Sequence, residues 1–236
     1  DIGVIKMEVM RNEVPKNGFL EKVRDLATTN NIVLIFDECT SGFRETFGGL
    51  HKKYNVTPDM AIYGKALGNG YAITSVVGKK EIMDYVQNTF ISSTFWTERA
   101  GPSAALKTLE IMEREKSWEY ICELGEYINS GWAKAAENNN LDIKIFGLSS
   151  ITKYILQTNN DFIKYKTLIT QEMLKKGYLA TNAAYVSFAH DKKLIDEYIE
   201  NLNEVFLLIN KCEQGDLNID TLLESNVCHS EFTRLN

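Results

Sequence analysis

A run of apolar residues, Ile32-Val33-Leu34-Ile35-Phe36, ends abruptly in Asp37-Glu38. An unbroken run this short reads as a strand covered on both faces, as in a parallel sheet layered between helices; a half-solvated antiparallel strand would alternate instead. The neighbouring segments agree with that reading. Residues 2–9 read as a strand, and residues 18–30 as a helix with Phe19, Val23, Leu26 and Ala27 on one face. Met60-Ala61-Ile62-Tyr63 and Ile73-Thr74-Ser75-Val76-Val77 are further short strands. Strands alternating with helices predict an α/β fold built on a mainly parallel sheet.

The character changes after Ser103. Leu106, Leu109 and Met112, then Trp118, Ile121, Leu124, Ile128 and Trp132, keep helical spacing. Residues 143–146 and 151–156 read as strands, and residues 161–176 as a helix stopped by Gly177. Residues 185–189 read as another strand. Asp191 is a fitting N-cap for a last helix carrying Leu194, Ile195, Tyr198, Leu202, Val205 and Ile209. These segments predict a large-domain portion over residues 1–110, a smaller α+β domain over 111–212, and a polar tail over 213–236.

Composition narrows the function classes. The 236 residues include no apolar stretch of transmembrane length. A net charge of −6 argues against a protein that reads nucleic-acid backbones, which needs a basic face. Cys39, Cys122, Cys212 and Cys228 lie far apart, and His51, His190 and His229 form no ligand couples with them. That spacing predicts no metal site and points to reduced thiols in a cytoplasmic protein. The chain opens directly on a strand pattern at Asp1-Ile2-Gly3-Val4-Ile5, without Met or a signal peptide, which reads as a fragment of something longer.

Two segments carry chemistry. In Phe36-Asp37-Glu38-Cys39-Thr40-Ser41-Gly42-Phe43-Arg44, a buried strand delivers a carboxylate at its C-terminal end. Ligands of open α/β sheets bind at that end, although a carboxylate there can also simply cap the next turn. In Tyr63-Gly64-Lys65-Ala66-Leu67-Gly68-Asn69-Gly70, a lysine follows a short apolar strand among small residues. Partial desolvation would make such a lysine an amine nucleophile. A flexible surface turn is the bland alternative. A phosphate-cradling loop lacks the required GxxxxGK[ST] or GxGxxG spacing.

In order and spacing, the two segments together resemble the class III pyridoxal-phosphate aminotransferases, of fold type I. The likeness extends to Met7-Glu8-Val9 with Gly18-Phe19-Leu20, to Thr57-Pro58-Asp59, to Val77-Gly78 and to Ser93-Thr94-Phe95. Near the end, Val186-Ser187-Phe188-Ala189-His190 is similar to the glutamate-1-semialdehyde aminomutase branch. The resemblance spans roughly residues 1–210 and corresponds to the C-terminal portion of a family subunit.

The resemblance implies specific roles. Lys65 would form the Schiff base with pyridoxal 5′-phosphate and then shuttle the proton. Asp37 would pair with the pyridine nitrogen, and Cys39 would pack on the ring face where relatives carry Val or Ile. Thr94 would bind the cofactor phosphate across the interface of a homodimer with a shared active site. Glu8 would lie near the active site or act as a structural hydrogen-bond acceptor, and Thr40 would stand where relatives carry Gln or Met near the ring hydroxyl. Apart from the resemblance, Arg44 reads as a candidate for a substrate carboxylate or phosphate, or as a loop arginine in an ordinary salt bridge. The substrates would be a small-molecule amino donor and a carbonyl acceptor. The family's substrate-binding arginine has no counterpart between Leu179 and Leu194, which leaves room for an aminomutase-like reaction or an unusual acceptor. Trp96 and Arg99 replace small residues of the family and would shape an entrance or an interface. His190 reads as a capping residue. The rival reading is a catalytically incomplete fragment serving as a dimerisation or interaction module.

Overall fold

The computed structural model describes residues 2–229, so Asp1 and the last seven positions of the predicted tail lie outside the described residues. The chain divides into two compact units, Asp1–Tyr120 and Ile121–Asn236. The division falls past residue 110, inside the first turns of a helix, because the helix that covers the lysine-bearing turn stays with the first unit.

The first unit holds a four-stranded sheet in the order β1-β2-β3-β4. Strands β1 (Val4–Glu8), β2 (Val33–Asp37) and β3 (Met60–Tyr63) run parallel. Strand β4 (Ser75–Gly78) pairs antiparallel with β3. Helix α1 (Phe19–Thr29) enters through Gly18 at φ 66°, a left-handed conformation that glycine adopts without strain, and packs on β2 through an apolar stripe that includes buried Leu20 and Ala27. The continuous run in β2 is not covered equally on both sides: Leu34 and Phe36 are fully buried, while Val33, Ile35 and Asp37 are half-buried.

One carboxylate fixes the register of this sheet. Asp59, just before β3, accepts the Leu34 amide at 2.8 Å and pairs with Arg24 of α1 at 2.9 Å and Lys79 after β4 at 2.7 Å. Burial pushes its carboxyl up, but the Leu34 amide and the two cations outweigh that and hold it below the ordinary aspartate value.

After the short helix α2 (Lys80–Met83) come α3 (Ala100–Glu115) and α4 (Ser117–Asn138). The helical spacing that runs across residues 106–132 is thus two helices. The break is at Lys116, in the left-handed conformation at φ 48°, with neither glycine nor proline to announce it.

The second unit is α+β, as its pattern predicts. β5 (Asp142–Leu148) and β6 (Ile151–Gln157) form an antiparallel hairpin, and β7 (Ala183–Tyr185) joins β6. This last strand lies earlier than the expected 185–189; Val186, one residue past it, is buried and donates its amide to the Ser150 carbonyl at 3.0 Å. Helix α5 (Phe162–Lys175) is capped by Asp161. Helix α6 (Lys192–Glu213) is capped by Asp191, whose Oδ1 accepts the Leu194 amide at 2.8 Å. Residues 213–229 are more than a polar tail. Helix α7 (Ile219–Leu222) buries Ile219 and packs on α5, tied by Gln171, which donates to the Leu222 carbonyl and accepts the Glu224 amide.

Trp132, Tyr154 and Phe206 stack edge-to-face at the centre of this unit. Among the described residues the fully buried Tyr154 hydroxyl has no hydrogen-bond partner. A buried donor without a partner costs about 1–3 kcal/mol, so Tyr154→Phe is expected to raise stability by about 1 kcal/mol. A higher urea midpoint at unchanged slope checks this. Among the described residues no helix is long and apolar enough to cross a membrane.

Candidate active site

Parallel pairing brings three strand ends to one edge of the first sheet. Glu8 pairs with Asp37 and Asp37 with Ile62, so Glu8, Asp37 and the Gly64-Lys65 turn all emerge there. This is the edge at which open α/β sheets bind ligands.

The turn after β3 is built to present Lys65. A Cβ on Gly68 would lie 2.1 Å from the Tyr71 carbonyl oxygen, so only glycine lets the chain fold back here. Leu67 joins Ala61, Tyr63 and Ala105 in a buried cluster, against which Phe43, Ile73 and Leu109 pack. Lys65 itself sits at φ 42°. That left-handed conformation is uncommon for lysine, and such strain persists only where packing on both sides imposes it. The side chain is exposed, not desolvated as the sequence suggests. Its Nζ donates to Thr40 Oγ1 at 2.7 Å.

Asp37 faces the same small group of residues. Its Oδ1 accepts the Cys39 amide at 3.2 Å, and its Oδ2 pairs with Lys6 Nζ at 2.9 Å. The hydrogen bond from Lys6 holds the carboxyl below the ordinary aspartate value, so it is ionised near neutrality. Burial, with the Asp37 charge adding to it, pushes the Cys39 thiol up, so Cys39 is a neutral thiol. A Cβ on Gly64 would stand 3.4 Å from Cys39 Sγ, which places that thiol against the lysine turn. Asp37, Cys39, Thr40 and Lys65 therefore converge: a carboxylate and a primary amine flank one short loop.

That loop is held from beneath by Glu38, whose side chain is fully buried. Its carboxylate accepts from Ser41 Oγ (2.5 Å), the Leu50 amide (3.0 Å), the His51 amide (3.0 Å) and His51 Nδ1 (2.9 Å). An ionised carboxylate only accepts, so the imidazole carries its proton on Nδ1. Burial pushes the Glu38 carboxyl up, but these donors prevail and hold it below the ordinary glutamate value. A Cβ on Gly42 would meet the Tyr63 ring at 2.6 Å, so this glycine lets the loop pass close over β3. Arg44 does not reach away from the loop; its Nε donates to the Thr40 carbonyl at 2.7 Å.

The other sequence candidates stand apart. Thr94 is exposed on the 89–99 segment and does not join the Asp37–Lys65 group through any hydrogen bond among the described residues. Trp96 and Phe95 on the same segment are exposed. Glu8 shares the sheet edge, with Arg11 as a distant ion partner at 3.9 Å. His190 accepts the Ser187 amide. Sequence reasoning missed Lys6, Glu38 and His51. Among the described residues no three His, Cys, Asp or Glu side chains come together as a metal site would need.

Comparison with known proteins follows this geometry. Residues 12–205 match the family described as aminotransferase class-III. The chain is 33% identical over 205 residues to a 3-aminobutyryl-CoA aminotransferase of Cloacimonas acidaminovorans, covering 84% of this chain and 49% of that protein. It is 28% identical over 214 residues to a glutamate-1-semialdehyde 2,1-aminomutase of Methanosphaera stadtmanae, again covering 84% and 49%. The chain thus spans about half the length of the curated relatives it matches. Among solved structures, the pyridoxal-phosphate form of the FumI protein of Sphingopyxis sp. MTA144 aligns with TM-score 0.83 at 20% identity, covering 94% of this chain and 56% of that one. An S-selective transaminase from Bacillus megaterium aligns with TM-score 0.74 at 19% identity, covering 89% and 51%. The fold is therefore that of the fold-type-I pyridoxal-phosphate transaminases.

Proposed function

The chain belongs to the class-III aminotransferase family, and from that premise we propose that it contributes the lysine and the nitrogen-pairing carboxylate of a pyridoxal-phosphate site for amino-group transfer. The observation that carries this reading is the convergence of Lys65 and Asp37 on the Cys39-Thr40 loop, at the ligand-binding edge of the sheet. The residues suit the cofactor chemically. A primary amine fits its aldehyde, an ionised carboxylate its ring nitrogen, and a neutral thiol its ring face. When bound, this cofactor supplies the electron sink that amino-acid side chains lack.

Each side chain then has a defined task. Lys65 Nζ would hold the cofactor aldehyde and, once free, would serve as the base that moves a proton at the substrate carbon. Thr40 Oγ1, which accepts from Nζ, would restrain the amine. Asp37 would pair with the ring nitrogen. Cys39 would lie against the ring, and Thr94 of a second copy of the chain would bind the cofactor phosphate. Glu8, Thr40 and Arg44 border the substrate side.

The substrates are a small amino donor and a carbonyl acceptor, and the enzyme acts in the cytoplasm as a homodimer. The two curated relatives support either transfer between molecules or an intramolecular shift of the glutamate-1-semialdehyde type. Borohydride reduction of the cofactor-loaded natural polypeptide, followed by peptide mapping, tests the reading. The cofactor mass is expected on Lys65. A tag on another lysine overturns the assignment.

One observation favours a second reading, a module whose main task is association. The first unit exposes the large side chains of Tyr71, Tyr85, Phe90, Phe95 and Trp96, three of them within residues 90–96. In that reading the chain associates with a partner but transfers no amino group, and turnover with a panel of donors and acceptors separates the two.

A further inference from the structure

The carboxylate assigned above to the ring nitrogen already has a cation. Residues 4, 6 and 8 of β1 share one face, and parallel pairing sets Lys6 beside Ile35 and Glu8 beside Asp37, so Lys6 reaches Asp37 along a diagonal of the sheet. Its Nζ lies 2.9 Å from Oδ2, while Oδ1 takes the Cys39 amide. The other charged groups around Asp37 are Glu8 on the same strand edge and Lys65, whose amine is engaged with Thr40. Both carboxylate oxygens therefore have a donor before any ligand arrives.

We propose that Lys6 is a positioning residue for Asp37, which pre-orients the carboxylate and competes with the pyridine nitrogen of the cofactor for Oδ2. The inference rests on the assignment of Asp37 to that nitrogen. A protonated ring nitrogen approaching Oδ2 meets an ammonium already there. The two cations repel each other across one carboxylate, so Lys6 must swing out or share. It has room to leave, because its side chain is 54% exposed. In the empty chain Lys6 keeps Asp37 charged and aimed; in the loaded chain it weakens the grip on the ring.

The test uses Lys6→Met and Lys6→Arg in the natural polypeptide, titrated with pyridoxal phosphate and with its 1-deaza analogue, which lacks the ring nitrogen. Lys6→Met removes the competitor and is expected to tighten pyridoxal phosphate by about two- to fivefold, the range of an exposed ion pair. It should leave the 1-deaza analogue unchanged, and Lys6→Arg should bind like wild type. Equal shifts for both ligands would reveal a merely structural effect and overturn the proposal, as would unchanged or weaker binding of pyridoxal phosphate. Borohydride mapping of the wild type separates this from the larger reading. A tag on Lys65 with no effect of Lys6→Met removes only the role of Lys6. No tag on Lys65 removes both.

Discussion

Lys65→Arg is expected to leave a folded chain that transfers no amino groups. Arginine keeps the charge and the length, and its guanidinium can still donate to Thr40 Oγ1. It cannot lose a proton near neutrality, so it neither attacks an aldehyde nor takes a proton from a substrate carbon. In the proposed site the amine would act both as covalent tether and as general base. Loss of the second role alone lowers rates by about 10²- to 10⁴-fold, so the expected drop in turnover is about 10³-fold or more. The Lys65 side chain is exposed and donates to Thr40 Oγ1, a bond arginine can also make, so the fold should tolerate the change. Unchanged circular dichroism, with no cofactor mass on the 64–70 peptide after borohydride, would complete the result. Retention of more than about a tenth of the wild-type rate would show that the amine serves neither role.

The residues of that prediction were legible because they sit where sequence patterns end. Asp37 closes an unbroken apolar strand, and Lys65 opens a glycine-rich turn after another. The parallel order of β1, β2 and β3 was readable from the same runs. What the sequence did not show depends on distance along the chain or on an unmarked backbone change. Lys6 sits inside a strand pattern as one polar residue among alternating ones, and only its register beside β2 brings it to Asp37. His51 is far along the chain from Glu38, and no spacing rule links them. The antiparallel direction of β4 follows from its pairing with β3, and nothing in Ser75-Val76-Val77-Gly78 encodes it. Lys116 breaks a helical stripe by turning left-handed without a breaker residue. Strand β7 lies earlier than its apolar pattern suggests because the pairing with β6 begins at Ala183 and ends one residue past Tyr185, where Val186 donates to Ser150. The half-burial of Val33 and Ile35 corrects the premise that an unbroken apolar run is covered equally on both faces.

Glu38 carries the largest expected effect on stability, because it stands between the fold and the site. It is fully buried, and its two oxygens take a hydroxyl, two backbone amides and an imidazole from residues 41, 50 and 51. Glu38→Ala would strand those donors and leave a void beneath the loop that carries Cys39 and Thr40. A donor left buried without a partner costs about 1–3 kcal/mol, and breaking a buried charged network typically costs about 3–5 kcal/mol in all. About 4 kcal/mol is therefore expected from urea unfolding, a large share of the stability of most domains. Glu38→Gln keeps the shape but turns one acceptor into a donor facing other donors, and about 2 kcal/mol is expected. The pH dependence has a definite sign. The folded carboxyl titrates below its unfolded value of about 4.3, so its contribution is present above that pH and is lost as the pH falls through the lower folded value. Glu38→Gln should accordingly flatten the acid limb of stability, the loss that sets in as the pH falls below about 4.3. An acid limb as steep as wild type, or a cost below about 0.5 kcal/mol, would mean that the loop is held by its other contacts. The Lys65–Thr40 geometry would then owe nothing to the carboxylate beneath it.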